Sequence, residues 1–225
     1  MKKYFYYILI LVFMLGAQST FAQKGTEKSD PKATALLNKL KKQYNSYKTV
    51  QADFMIETEV PEKPKDTKKG QLFQAGKKYR MVLPELTSFS DAKTVWTYIK
   101  KNKEIQVTNY GDKESTPFIS PQELLTIYER KDHLYAISGD AVIQGKNCTE
   151  IEFKPVSSKL DYFKIRLSVD KKTMQLLQAK VFYKDGVRYT LLMTKFTPNQ
   201  TLDNKYFTYR ASDFPGIPVE DLRID

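Results

Sequence analysis

Nucleophilic catalysis needs a Ser, Thr or Cys beside a base and an orienting acid. The 225-residue chain offers one His, His133, and one Cys, Cys148. His133 stands between Asp132 and Leu134 with no nucleophile motif beside it, and reads as a surface or helix-terminus histidine. Cys148 has no partner for an internal disulfide, and Cys148 with His133 cannot supply the three or four ligands of a zinc site. Neither a Gly-x-Ser-x-Gly elbow nor a phosphate-cradling glycine loop occurs. Glu57, Glu59, Glu104, Glu150 and Glu152 alternate with apolar residues, the pattern of a solvated strand face. Two of them would have to converge to hydrolyse a glycoside, and no motif favours that. The expectation is therefore no catalytic residue, no metal and no cofactor.

The aromatic residues carry more information. Phe, Tyr and Trp make up 13% of the chain, and Phe54, Tyr79, Trp96, Tyr98, Phe153, Phe163 and Tyr189 alternate with charged residues in strand-like runs. An ordinary core accounts for any one of them. Together, facing one concave surface, they would line an apolar cavity.

The elements that must position them follow from periodicity. Asp30 as N-cap and Pro31 at the first helical position start a helix that runs to about Ser46, with Leu36, Leu37, Leu40, Tyr44 and Tyr47 on one face. From Val50 to Val60 the period becomes two, which predicts a strand, and Pro61 to Lys69 reads as a charged turn. Gln71–Ala75 and Lys78–Leu83 form a hairpin about Gly76-Lys77, followed by strands at Thr94–Ile99 and Glu104–Thr108. A second helix opens on the capping box Ser120/Glu123 with Pro121 in its first turn, and presents Leu124, Leu125, Ile127 and Tyr128. Five further strands follow: Leu134–Ser138, Cys148–Phe153, Tyr162–Val169, Leu176–Tyr183 and Val187–Phe196. They are separated by turn signals at Gly139-Asp140, Gly145-Lys146-Asn147, Asp170-Lys171-Lys172 and Asp185-Gly186. Strands without intervening helices must pair antiparallel. So many of them must curl, because a flat open sheet leaves one face wet.

The charge balance, 37 Lys and Arg against 26 Asp and Glu, allows nucleic acid, anionic membrane or acidic partners. The N-terminus decides among these. Met1-Lys2-Lys3, the apolar run Tyr4–Leu15 and the small residues Thr20 and Ala22 have the layout of a secretory signal peptide cleaved after Ala22. The run is shorter than the roughly 20 residues that span a bilayer. Cleavage would leave 203 of the 225 residues and lower the net charge from +11 to +9. It would place the protein outside the cytoplasm, away from nucleic acid. The expected organisation is signal peptide 1–22, polar leader 23–29 and one domain, 30–225.

Four segments resemble one family, the outer-membrane lipoprotein carriers (LolA). Ser46-Tyr47-Lys48-Thr49-Val50-Gln51-Ala52-Asp53-Phe54 is similar to the family's junction between helix and first strand. Gly70-Gln71-Leu72-Phe73 with Lys78-Tyr79-Arg80-Met81 and Pro84 resembles its hairpin, and Ser90 to Tyr98 resembles its "sDGktlWxY" marker with Ala92 in place of the usual Gly. Leu202-Asp203, Phe207-Thr208 and Pro215-Gly216-Ile217-Pro218-Val219 match its closing segment. The resemblance implies a mostly β (α+β) fold: a curled, unclosed antiparallel β-barrel of about ten to eleven strands, with a helical lid over an apolar cavity. It also implies a non-enzymatic, monomeric periplasmic carrier. Such a carrier takes acylated lipoproteins from an inner-membrane release transporter, shields their acyl chains and hands them to an acceptor at the outer membrane or to the membrane itself. The implied ligand-binding set, cavity and lid, is Leu36, Leu40, Tyr44, Phe54, Ile56, Tyr79, Met81, Trp96, Tyr98, Leu124, Leu125 and Tyr128. Many relatives carry an Arg-Pro pair at the hairpin turn that holds the lid shut. Here the turn is Ala75-Gly76-Lys77-Lys78, so that device has no counterpart. Other expectations remain open: a lipoprotein-sensing domain of similar fold, or a carboxylate-dependent hydrolase. For a carrier, both helices are expected to swing from the sheet to admit acyl chains.

Overall fold

The computed structural model describes residues 28–111 and 126–223. The signal-peptide segment, most of the leader, and the start of the second helix with its capping box, Leu124 and Leu125 lie outside these. Helix α1 spans Pro31–Ser46. The Asp30 side chain accepts from the Lys32 N–H at 2.8 Å, and Pro31 fills a position whose N–H has no helical partner. The fully buried stripe is Ala33, Leu37, Leu40 and Tyr44. Leu36, expected in that stripe, is half-buried beside it.

Twelve strands follow among the described residues: β1 Val50–Glu59, β2 Asp66–Ala75, β3 Lys78–Val82, β4 Leu86–Ser90, β5 Thr94–Ile99, β6 Glu104–Asn109, β7 His133–Ile143, β8 Lys146–Pro155, β9 Tyr162–Asp170, β10 Leu176–Tyr183, β11 Arg188–Pro198 and β12 Val219–Asp221. They form one sheet in the order β12-β6-β5-β4-β3-β2-β1-β11-β10-β9-β8-β7. Every pairing is antiparallel except β12 with β6. The sheet curls without closing, and β7 and β12 remain its edges.

The count exceeds ten to eleven because β4, Leu-Thr-Ser-Phe-Ser, alternates weakly, and because β12 is three exposed residues held only by its β6 neighbour. Two turn assignments also change. Strand β2 begins at Asp66, inside the segment read as a turn, since Lys68 and Lys69 pair with Ile56 and Met55. Gly139-Asp140 lies within β7 at a register shift between Ile137 and Gly139, and the turn comes later, at Gln144-Gly145. The β7 edge is partly closed by the helix start. Asp30 N–H donates to Tyr135 O at 2.8 Å, and the Ile137 N–H donates to Asp30 Oδ2 at 3.3 Å.

Residues directly paired across antiparallel strands share a face, so register assigns the faces. The face carrying α1 shows the row Ile56–Leu191–Ala179–Leu167–Ile151 and, on the other half, Phe196–Ala52–Leu72–Met81–Ser88. The opposite face shows Gln51–Phe73–Arg80–Phe89–Trp96–Val107. Residues 199–218 leave β11, cross this second face as a strap and end beside β6.

Candidate functional site

The α1-side face holds two apolar clusters. The first joins Ala33, Leu37, Leu40 and Tyr44 to Ile151, Phe153, Ile165, Leu167, Val169, Leu176 and Ala179. The second contains Val50, Ala52, Phe54, Leu72, Met81, Leu83 and Met193, and no buried residue of α1. Tyr47, Leu191 and Phe196 pack against both, so the apolar face is continuous from β8 to β3. The helix covers one half of it.

The helix is fastened to that half. Tyr44 Oη accepts from the buried Leu176 N–H at 3.2 Å, Lys41 pairs with Glu129 at 2.5 Å, and Tyr128 Oη donates to Asn38 at 2.8 Å. Burial pushes the Tyr44 phenol well above its ordinary pKa, so it stays protonated. Burying two Leu, one Tyr and one Ala contributes on the order of 6–8 kcal/mol, so spontaneous detachment of α1 is rare. A helix that swings away freely is not what these contacts describe.

The predicted binding residues divide accordingly. Leu40 and Tyr44 seal the first cluster, with Leu36 at its margin and Tyr128 beside Tyr135 in the 3-10 turn Ile127–Glu129. Phe54 and Met81 are buried in the second cluster, and Ile56 and Tyr79 border it. Trp96 and Tyr98 are not on this face. Trp96 stacks on Tyr209 at 6.2 Å and Tyr98 packs on Phe214 at 5.1 Å, both under the strap. Alternation along β5 put them on a face of their own, but which face was decided by what covers each side. Leu191, Met193 and Phe196 belong to the apolar face and were not singled out from sequence. The extra residue Thr194 at the β1–β11 register shift breaks their alternation and hides the signal.

A cleft of about 610 Å³ opens beside β1–β3, lined by Asp53, Met55, Lys69, Gln71, Val82 and Lys100 among others. By register Asp53, Gln71 and Val82 lie on the strap side.

The candidate acid–base groups are accounted for. His133 is buried rather than at the surface. Its Nδ1 lies 2.6 Å from Asp132 and its Nε2 2.9 Å from Tyr162 Oη, and the ring stacks on Tyr162. Glu150 and Glu152 share Arg166, and Glu57 and Glu59 share Lys65. The Glu59 carboxyl is lowered by the Lys180 hydrogen bond. At Glu152 burial works upward, but hydrogen bonds from Arg166 and Lys164 outweigh it and hold the group below its ordinary value. A general acid needs the reverse. Cys148 is fully buried and its thiol is pushed up by that burial, away from nucleophilic use. Among the described residues no three of His, Cys, Asp and Glu converge to hold a metal, and no helix is long and apolar enough to cross a membrane.

Comparison with known proteins places this fold. An uncharacterized conserved protein from Thermus thermophilus superposes with a TM-score of 0.56 at 12% identity, over 84% of this chain and 99% of that one. Weaker likenesses include LprF from Mycobacterium bovis (TM-score 0.49, 14% identity, 79% and 98% coverage). A LolA superfamily protein from Nitrosomonas europaea follows (TM-score 0.42, 13% identity, 79% and 97% coverage). No curated protein sequence matches. Residues 45–210, from the last turn of α1 through all eleven strands β1–β11 and into the strap, match a family pattern described as outer membrane lipoprotein carrier protein LolA. With the unclosed curled sheet, the helix on its apolar face and most of the chain matched, the protein belongs to the LolA family of outer membrane lipoprotein carriers.

Proposed function

We propose that the protein carries acylated lipoproteins through the periplasm, taking them from an inner-membrane release transporter and passing them to the outer membrane or an acceptor there. The observation that supports this is the continuous apolar face of which α1 covers one half. The chain enters the periplasm by the signal peptide, cut after Ala22.

In this reading α1 is a fixed wall. Acyl chains meet the half-buried border of the second cluster, Tyr47, Ile56, Tyr79, Leu86, Leu191 and Phe196, whose buried centre backs them. Each buried methylene contributes about 0.8 kcal/mol, so one sixteen-carbon chain contributes about 12 kcal/mol gross. A lipoprotein anchor has two or three such chains. Non-covalent affinity saturates near about −20 kcal/mol, so full sequestration of all chains would be close to irreversible. Partial cover permits release.

The test is isolation of the protein from periplasm with the release transporter intact, followed by mass spectrometry. Bound lipoprotein or its acylated peptide is expected, with Gln23 as the first residue. The variants Ile56→Asp and Tyr79→Asp are expected to lose the cargo. A disulfide joining α1 to β10 is expected to leave uptake intact. Absence of lipid-bearing cargo from the wild-type protein would overturn the proposal.

A further inference from the structure

On the face away from the apolar clusters, strap and sheet enclose a second hollow of about 320 Å³, lined by Arg80, Phe89, Lys205, Tyr206, Arg210, Asp213 and Phe214. Its volume is on the order of ten waters. Arg80 comes from β3, and Lys205 and Arg210 come from the strap, more than a hundred residues along the chain. The Arg80 guanidinium lies over the Phe89 ring at 5.1 Å, and its Nε is buried with no hydrogen-bond partner among the described residues. That Nε is closed to solvent, so a ligand in the hollow would meet the terminal amino groups of the guanidinium instead.

The charges in the lining do not balance. Three cations face one carboxylate, Asp213, which already accepts from Arg210 Nε and Nη2 at 3.1 and 2.8 Å. Lys205 pairs with Asp203 at 3.1 Å, but both side chains are more than half exposed, and such a pair is weak. The walls behind the cations are aromatic: Phe89 packs on Phe214 and Phe73 on Tyr206. A low-dielectric wall strengthens the field of the cations in front of it.

We propose that this hollow binds a phosphate group. An excess of two positive charges in the lining complements a phosphate monoester or inorganic phosphate, which carries roughly −1.5 to −2 near neutral pH. Guanidinium groups from two directions suit its several acceptor oxygens better than a single carboxylate. A phospholipid headgroup, a singly charged phosphodiester, offers the same kind of acceptor oxygens as a small soluble phosphate but less charge, so the soluble phosphate is the better match. The site is on the opposite face from the proposed cargo surface, and it stands or falls independently of the carrier reading.

Phosphorus-31 NMR of the mature chain, titrated with inorganic phosphate and with glycerol 3-phosphate in chloride buffer of matched ionic strength, reads binding directly. Flotation with phosphatidylglycerol vesicles against phosphatidylcholine vesicles reads the lipid source. Saturable binding is expected from at least one phosphate probe. Arg80→Gln is expected to weaken it roughly tenfold or more and Lys205→Gln a few-fold, with Lys159→Gln, in the β8–β9 turn, unchanged. Binding of the soluble phosphates assigns a free ligand; vesicle binding alone, lost in Arg80→Gln, assigns the headgroup. The exposed strap residue Lys205 carries the comparison if Arg80→Gln does not fold. Two results would overturn the proposal: no saturable binding by any phosphate probe, or binding that Arg80→Gln and Lys205→Gln weaken no more than Lys159→Gln.

Discussion

Gly70 sits opposite Phe54 across the β1–β2 pair, and the Phe54 ring lies over the space where other residues carry a Cβ. A Cβ at residue 70 would stand 2.5 Å from Phe54 Cζ, 2.6 Å from Cε2 and 2.8 Å from Leu83 Cδ2. Ordinary carbon contacts are about 3.5–4.0 Å, so the ring must move about 1 Å within a cluster where it is 1% exposed. Such overpacking costs about 2–3 kcal/mol, partly offset by about 0.4–1 kcal/mol from the stiffer unfolded chain. Gly70→Ala is therefore expected to lose about 1.5–2.5 kcal/mol in urea denaturation and to lower the melting temperature by about 4–8 °C. The mechanism, beyond the loss itself, is tested by a double-mutant cycle. In a Phe54→Leu background the distal ring atoms are gone and the Leu83 contact remains, so Gly70→Ala is expected to cost at least about 1 kcal/mol less than in the wild type. Equal losses in both backgrounds would refute the steric reasoning.

Ala92 adopts φ +80°, in the left-handed region that favours glycine, and the turn is held by Asp91, whose Oδ1 accepts from the Lys93 and Thr94 N–H groups at 2.8 Å. Ala92→Gly relieves a left-handed strain of about 1–2 kcal/mol at the cost of backbone entropy, and is expected to raise stability by about 0.5–1 kcal/mol in thermal melts. Tyr44→Phe leaves the buried Leu176 N–H without its acceptor and is expected to cost about 1–3 kcal/mol, with Leu176 amide exchange accelerated. The Glu152 carboxyl is depressed in the fold, so its contribution is complete above the ordinary carboxylate pKa of about 4 and fades as pH falls through its lower folded value. Stability measured from pH 6 to 2 is expected to fall less steeply below about pH 4 in Glu152→Gln than in the wild type.

Much of the fold was legible because its determinants are local. The N-cap Asp30, Pro31 and the spacing of Leu37, Leu40 and Tyr44 specify α1 to its observed bounds, and the Asp185-Gly186 turn joins β10 to β11 as read. Strands β4 and β12 were not legible, since neither has the run of alternating apolar residues that marks a strand in isolation. Register against β3, β5 and β6 holds them. His133 shows the same limit: neighbouring residues in sequence give no sign of Tyr162, 29 positions away, which buries it.

Sequence alone determined the helix, most strands, their antiparallel connection, the scarcity of His and Cys and the family, because capping, periodicity, composition and short motifs act within a few residues of themselves. Tertiary structure decided which side of each strand is which. Period-two alternation separates two faces and says nothing of their covers, and here apolar and aromatic residues stand on both faces of the N-terminal half. Apolar clusters lie on the α1 side, and a strap from the far end of the chain covers the other. That is why Phe54, Ile56, Tyr79 and Met81 share one face while Trp96 and Tyr98, equally aromatic and equally periodic, lie on the other. It is also why Arg80 meets Lys205 and Arg210 at a place no local pattern foretells: contacts between distant segments are selected by the burial they achieve together.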